Sequence, residues 1–309
     1  MFPVLVCGAD RAAVSHVGVL VPLAVSSPIE DGLLEGLREV GLIEGKSIQL
    51  DWQRSKRTDE ELPALADRLV QAKVAVIVAI GTPASRAAMH ASTSIPVVFV
   101  SGDPIAAGLA ASLARPGANG TGVYVPSPEL NAKRLELLTQ IAPRAHRIAY
   151  LRNPSTVIAA EILKAVQNAI QTLNLELVVL DVEAGRAIEH ALNRISRKTA
   201  DAILIGSDLT LLLERPKICQ AVRKARLPAI FPWRDYHDYG ALISYGFSGK
   251  EIGRRAAVYV NRILNGANPA ELPVEEMSKF ELVIDMREAR ALGIDIPQEF
   301  VMRADELIQ

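Results

Sequence analysis

Short apolar runs alternate along the chain with segments whose apolar residues recur at helical spacing. The run His16-Val-Gly-Val-Leu-Val21 stops at a proline and predicts a buried strand. Ile29, Leu33, Leu34, Leu37 and Val40 then lie on one helical face over Pro28–Val40, and Gly41 is a natural stop. Ser47–Trp52 alternates like a strand, Glu60–Ala72 has helical spacing, and the apolar run Val74–Ile80 reads as a central strand. Thr82 is the expected cap of a helix reaching about Ala91, with Pro83 in its first position, and Pro96–Val100 is a further buried strand.

The rhythm restarts in the second half. Strands are expected at Arg147–Leu151, Leu175–Leu180, Ala202–Ile205 and Pro228–Phe231, and helices at Ser155–Leu173, Arg186–Arg197 and Leu209–Ala225. Strands apolar on both faces, alternating with helices, predict an α/β fold with parallel sheets covered by helices. The pattern gives two doubly wound units near 14–121 and 122–242. Between them Asp103–Pro128 is rich in Gly and Pro and predicts a short helix, a tight turn and a strand at Thr121–Val125. Ala241–Tyr245 and Phe280–Ile284 read as late strands, and Gly249–Leu264 and Met286–Leu292 as late helices.

Charge narrows the function classes. Lys and Arg number 34 against 35 Asp and Glu, for a net charge of −1, and no like-charged block stands out, which argues against nucleic acid as a partner. Cys7 and Cys219 have no metal spacing and read as two free thiols. His16, His90, His146, His190 and His237 are scattered, so no metal site is expected. No run reaches the roughly 18 apolar residues of a membrane span. Met1–Arg11 lacks the basic start and full apolar core of a secretion signal, and Val6 is too large to precede a lipoprotein cysteine at Cys7. The chain reads either as cytoplasmic as written or as one whose start is shortened. Dinucleotide, Walker and nucleophile-elbow motifs are not found, so neither cofactor nor catalytic residue is expected.

Two such lobes leave a cleft between them, and in doubly wound sheets ligands collect at the carboxyl ends of strands, where helix N-termini point. Six loops follow apolar strands there: 22–28, 81–85, 101–103, 152–155, 206–208 and 232–235. The candidate ligand contacts are Thr82, Pro83, Ser101, Asp103, Thr121, Tyr124, Asn153, Ser207, Asp208 and Trp233. Small polar residues in such loops serve equally as helix caps, and Trp233 serves equally as a packing residue. For an amino-acid-like ligand the carboxylate is assigned to Thr82 and nearby N–H groups, aided by Ser101 and Thr121. The ammonium is assigned to Asp208 first and Asp103 second, and the apolar part to Trp233 and Tyr124.

Several stretches carry a family resemblance: G-L-R-E-V-G-L-I-E-G-K-S-I at 36–48, I-V-A-I-G-T-P-A-S at 77–85, S-I-P-V-V-F-V-S-G-D-P at 94–104, G-L-A-A-S-L-A-R-P-G-A-N-G-T-G at 108–122, A-K-R-L-E-L-L at 132–138, R-R-A-A-V-Y-V-N-R-I-L-N-G at 254–266 and A-L-G-I-D-I-P at 291–297. From about 16 to 309 the chain resembles the ABC-transporter substrate-binding proteins that include tryptophan and tyrosine uptake receptors. The resemblance implies the type I periplasmic binding protein fold, two lobes joined by three crossovers, with 14–121 plus 243–272 in one lobe and 122–242 plus 279–309 in the other. It also implies a small-molecule ligand, with aromatic amino acids the best-known examples, a membrane permease with its ATPase as partner, and a periplasmic or membrane-associated extracytoplasmic location. A sensory receptor that reports to a signalling partner fits the same residues, and an α/β enzyme fits them less well.

Overall fold

The computed structural model describes residues 14–22, 26–55, 59–126, 128–156, 158–182 and 188–309. Cys7 and part of the loop 22–28 fall outside these. Cys219 is a buried free thiol, pushed up to about 12 by burial.

The elements run β1 (Ser15–Val21), α1 (Pro28–Glu39), β2 (Ile48–Arg54), α2 (Leu62–Gln71), β3 (Val76–Ile80), α3 (Thr82–Ala91), β4 (Val97–Ser101) and β5 (Gly120–Tyr124). The second half holds α4 (Pro128–Ile141), β6 (Arg147–Arg152), α5 (Ala159–Thr172), β7 (Glu176–Asp181), α6 (Ile188–Asn193), β8 (Ala202–Ile205), α7 (Leu209–Leu213), α8 (Arg215–Ala225), β9 (Ala229–Phe231) and β10 (Ile243–Gly246). The end of the chain adds α9 (Gly249–Leu264), β11 (Glu275–Glu276), β12 (Glu281–Asp285), α10 (Met286–Leu292), α11 (Gln298–Val301) and β13 (Glu306–Ile308).

Two sheets result. The first is parallel throughout, in the order β11-β5-β4-β3-β1-β2. The second has the order β13-β12-β10-β9-β8-β6-β7 and contains one antiparallel pair, β10 with β12. Core side chains lie on both faces of each sheet, as parallel strands require. The chain passes between lobes after Tyr124, after Gly246 and after Glu276. These are the three crossovers.

The lobe boundaries differ from the sequence expectation. Ile243–Gly246 lies in the second sheet, paired with β9 and β12, and the chain returns to the first lobe with α9 and β11. Gly122–Tyr124 completes β5 in the first sheet. The returning helix is held by backbone contact: a Cβ on Gly253 would sit 2.0 Å from Ile29 O, and one on Gly32 would sit 2.0 Å from Lys250 O. The two helices run parallel there, so their N-termini lie side by side.

Local corrections have physical causes. The single helix expected over Leu209–Ala225 is two, because Pro216 removes an N–H and crowds the carbonyl four residues back, and Arg215 Nη1 donates to Leu212 O at 2.8 Å. The short helix expected after Asp103 is a turn, in which Asp103 Oδ1 accepts from Ile105 N and Ala106 N at 2.9 and 3.0 Å.

Candidate functional site

In the first lobe the carboxyl edge is built by β3 and β4. Gly81, at φ +90°, turns the chain from β3 into α3 and is the true cap residue. Thr82 is therefore the first helical residue and Pro83 the second, where a missing N–H still costs nothing. This shift leaves the Thr82 hydroxyl free to reach sideways. It lies 3.0 Å from Ser101 Oγ at the end of β4, and it accepts from Gly102 N at 3.3 Å. Two hydroxyls thus meet at the N-terminus of a ten-residue helix, where N–H groups and the helix dipole favour an anion. Thr121 is not part of this group. It is buried in β5 and donates to Leu272 O at 2.8 Å, tying down the chain that leads to β11. Tyr124 closes β5 at the first crossover and packs on the small cluster around Phe99.

In the second lobe Asn153, Ser207 and Asp208 come together, lining a small cavity of about 10 Å³ with Tyr150, Arg152 and Thr156. Asp208 Oδ1 caps α7, accepting from Thr210 N at 2.8 Å and Leu211 N at 3.3 Å, and it also accepts from Asn153 Nδ2 at 3.2 Å. Burial holds its pKa above the usual carboxylate value despite these bonds. Asp208 and Asp103 both cap backbone N–H groups through Oδ1. Trp233 is buried in the lobe's core, as the packing alternative held, yet its Nε1 has no partner among the described residues.

The two edges face and touch each other. Leu209 and Leu213 of α7 pack against the core of the first lobe. A Cβ on Gly81 would lie 2.8 Å from Leu209 Cδ1, and one on Gly102 would lie 3.8 Å from Ile158 Cδ1. Loss of hydration, and then the charge of Asp208 in the opposite lobe, raise the pKa of Asp59.

Comparison with known proteins decides the family. Residues 16–308 match the model of the ABC transporter substrate binding protein family. The chain belongs to that family. It is 25% identical to a tyrosine-binding protein of Clostridioides difficile over 266 residues, covering 85% of this chain and 76% of the relative. An ABC domain from Streptococcus pneumoniae, solved in complex with L-Trp, superposes with a TM-score of 0.87 at 24% identity, covering 96% of this chain and all of that one. A ligand-free, open substrate binding protein with adhesive properties from Clostridium difficile gives 0.68 at 23% identity, covering 96% and 99%. Both confirm the two-lobed type I architecture. No helix among the described residues is long and apolar enough to cross a membrane.

Two residues of this substrate-binding protein were given no role by the sequence reading, although Asp235 lies in the candidate loop 232–235. Arg134 is wholly buried, donating from Nε to Tyr245 O at 2.6 Å, and from Nη1 to Ser207 Oγ at 2.8 Å and Asn131 Oδ1 at 3.0 Å. It has no ion pair among the described residues, and burial pulls its pKa down to about 10. It joins the loop after β8 to the strand of the second crossover. Its signal was present: Arg134 interrupts the apolar stripe Leu130, Leu137, Leu138 and Ile141 of α4. Asp235 is the other. Its Oδ2 is buried without a partner and lies 3.4 Å from the Cβ position of Gly249, across the lobe boundary.

Proposed function

We propose that this protein is the solute receptor of an ABC importer, and that its solute is an amino acid with an aromatic side chain. It captures the solute in the cleft, closes by rotation of the lobes about the three crossovers, and delivers it to a membrane permease driven by its ATPase. Its place is outside the cytoplasmic membrane, periplasmic or membrane-associated. The observation that carries this reading is the hydroxyl pair Thr82–Ser101 at the start of α3, set opposite the capped edge of the second lobe. That pair suits a carboxylate. The tyrosine-binding relative and the L-Trp complex support the choice of ligand class.

A thermal-shift screen of the L-amino acids, followed by calorimetry on any hit, tests the proposal. A ligand at one hundred times its Kd adds about 2.7 kcal/mol to stability, so tryptophan, tyrosine or phenylalanine is expected to raise Tm by several degrees. A screen in which no amino acid shifts Tm would remove the amino-acid reading. Conversion of a bound compound, seen by chromatography, would replace the receptor by an enzyme.

A further inference from the structure

Buried polar atoms in folded proteins nearly always have partners, and each one left alone costs roughly 1–3 kcal/mol. In this molecule several such atoms gather where the loop after β9 meets the first lobe. Trp233 Nε1, Asp235 Oδ2 and Tyr236 Oη come from one four-residue stretch, 233–236, and Ser27 Oγ comes from the start of α1. Trp233, Tyr236 and Ser27 are each more than nine-tenths buried. The Cβ position of Gly249 lies 2.9 Å from Pro28 Cβ and 3.4 Å from both Ile29 N and Asp235 Oδ2, so the loop and the paired starts of α1 and α9 converge on one place.

Burial raises the pKa of Asp235 and outweighs Arg215 and Arg234, which favour its charged form only through space. Arg234 is held by Glu306 through two bonds of 2.8 and 2.6 Å, and Arg215 gives its Nη1 to Leu212 O. Asp235 has no ion pair among the described residues, while Asp208 and Asp103 each give one oxygen, Oδ1, to backbone N–H groups. We infer that Asp235 forms the subsite that holds the protonated amine of the ligand. The inference rests on the amino-acid reading above and gives the ammonium a different partner from the sequence assignment. Trp233 and Ser27 then offer donors to the neighbouring polar atoms of the same ligand head group. A ligand that brings a cation to this place satisfies Asp235 as well as the donors around it, which favours an α-amino acid over the corresponding simple acid.

Calorimetry on the wild type and Asp235→Asn tests this with L-tryptophan and L-tyrosine, and with indole-3-propionate and 3-(4-hydroxyphenyl)propionate, which lack only the amine. Removing one partner of a buried charge pair weakens binding by about 30-fold or more. Asp235→Asn is therefore expected to lower affinity for the amino acid by at least about 30-fold, to leave affinity for the des-amino acid nearly unchanged, and to melt within a few degrees of the wild type. Equal affinity of variant and wild type for the amino acid, or equal losses for both ligands, would overturn the subsite while leaving the receptor reading intact. A wild type that binds neither amino acid would overturn both. Trp233→Phe, which keeps the ring and deletes the N–H, is expected to show a smaller loss in the same direction; an unchanged affinity there would remove Trp233 from the subsite.

Discussion

Arg134 carries a positive charge into the second lobe with no carboxylate to meet it among the described residues, and its stability role follows from what it bonds. Truncation to alanine strands the carbonyl of Tyr245 and opens a cavity, so Arg134→Ala is expected to cost about 3 kcal/mol or more in urea unfolding. Arg134→Met fills the volume without a buried charge and is expected to cost less; a Met variant as unstable as the Ala variant would contradict this. His237 donates or accepts at 2.9 Å with Ser244 Oγ, and burial lowers its pKa to about 4 from 6.5. Asp285 and Glu306 partly oppose that shift and Arg234 adds to it. A buried base with a lowered pKa is stable when neutral, so stability is complete above pH 6.5 and falls as pH drops toward 4, by about 2–3 kcal/mol. Urea midpoints at pH 7 and 4.5 should diverge less in His237→Gln; identical losses would refute the assignment. Thr82→Ala should weaken amino-acid binding by roughly 1 kcal/mol, read by calorimetry, and an unchanged Kd would withdraw Thr82 from the carboxylate site. Thr82, Ser101, Asn153 and Ser207 were legible as strand-end residues because they follow apolar strands. Their bonds were not, since the same residue types cap helices. Thr121 reads like a loop-end threonine, yet its partner Leu272 is remote in sequence.

At the scale of elements, strand and helix order could be read from the apolar pattern because strands buried on both faces and amphipathic helices leave different periods. What the pattern could not assign was the sheet to which a strand belongs. β10 stands next to a helix of the first lobe, yet its hydrogen bonds go to β9 and β12. Pairing between strands distant in sequence is set by the whole packed lobe. Pro216 was a visible break, and it divides α7 from α8. The α1–α9 contact is the element most exposed to small changes. Gly253→Ala would drive a methyl group into Ile29 O, at a cost of about 3 kcal/mol or more. A melting temperature equal to the wild type would show that the two helices yield at that point.

At the scale of the molecule, the lobes touch through glycine on one side and leucine on the other. Gly81→Ala adds a methyl group against Leu209 and strains a residue at φ +90°. It is expected to hinder closure, lowering affinity about tenfold while the ligand-free protein keeps most of its stability; full affinity would show that closure does not need that contact. Small-angle X-ray scattering with and without saturating ligand reads lobe closure itself. Ligand is expected to shrink the radius of gyration and to bring the curve onto that of the present arrangement of lobes. Scattering that stays the same when the ligand binds would contradict capture by closure.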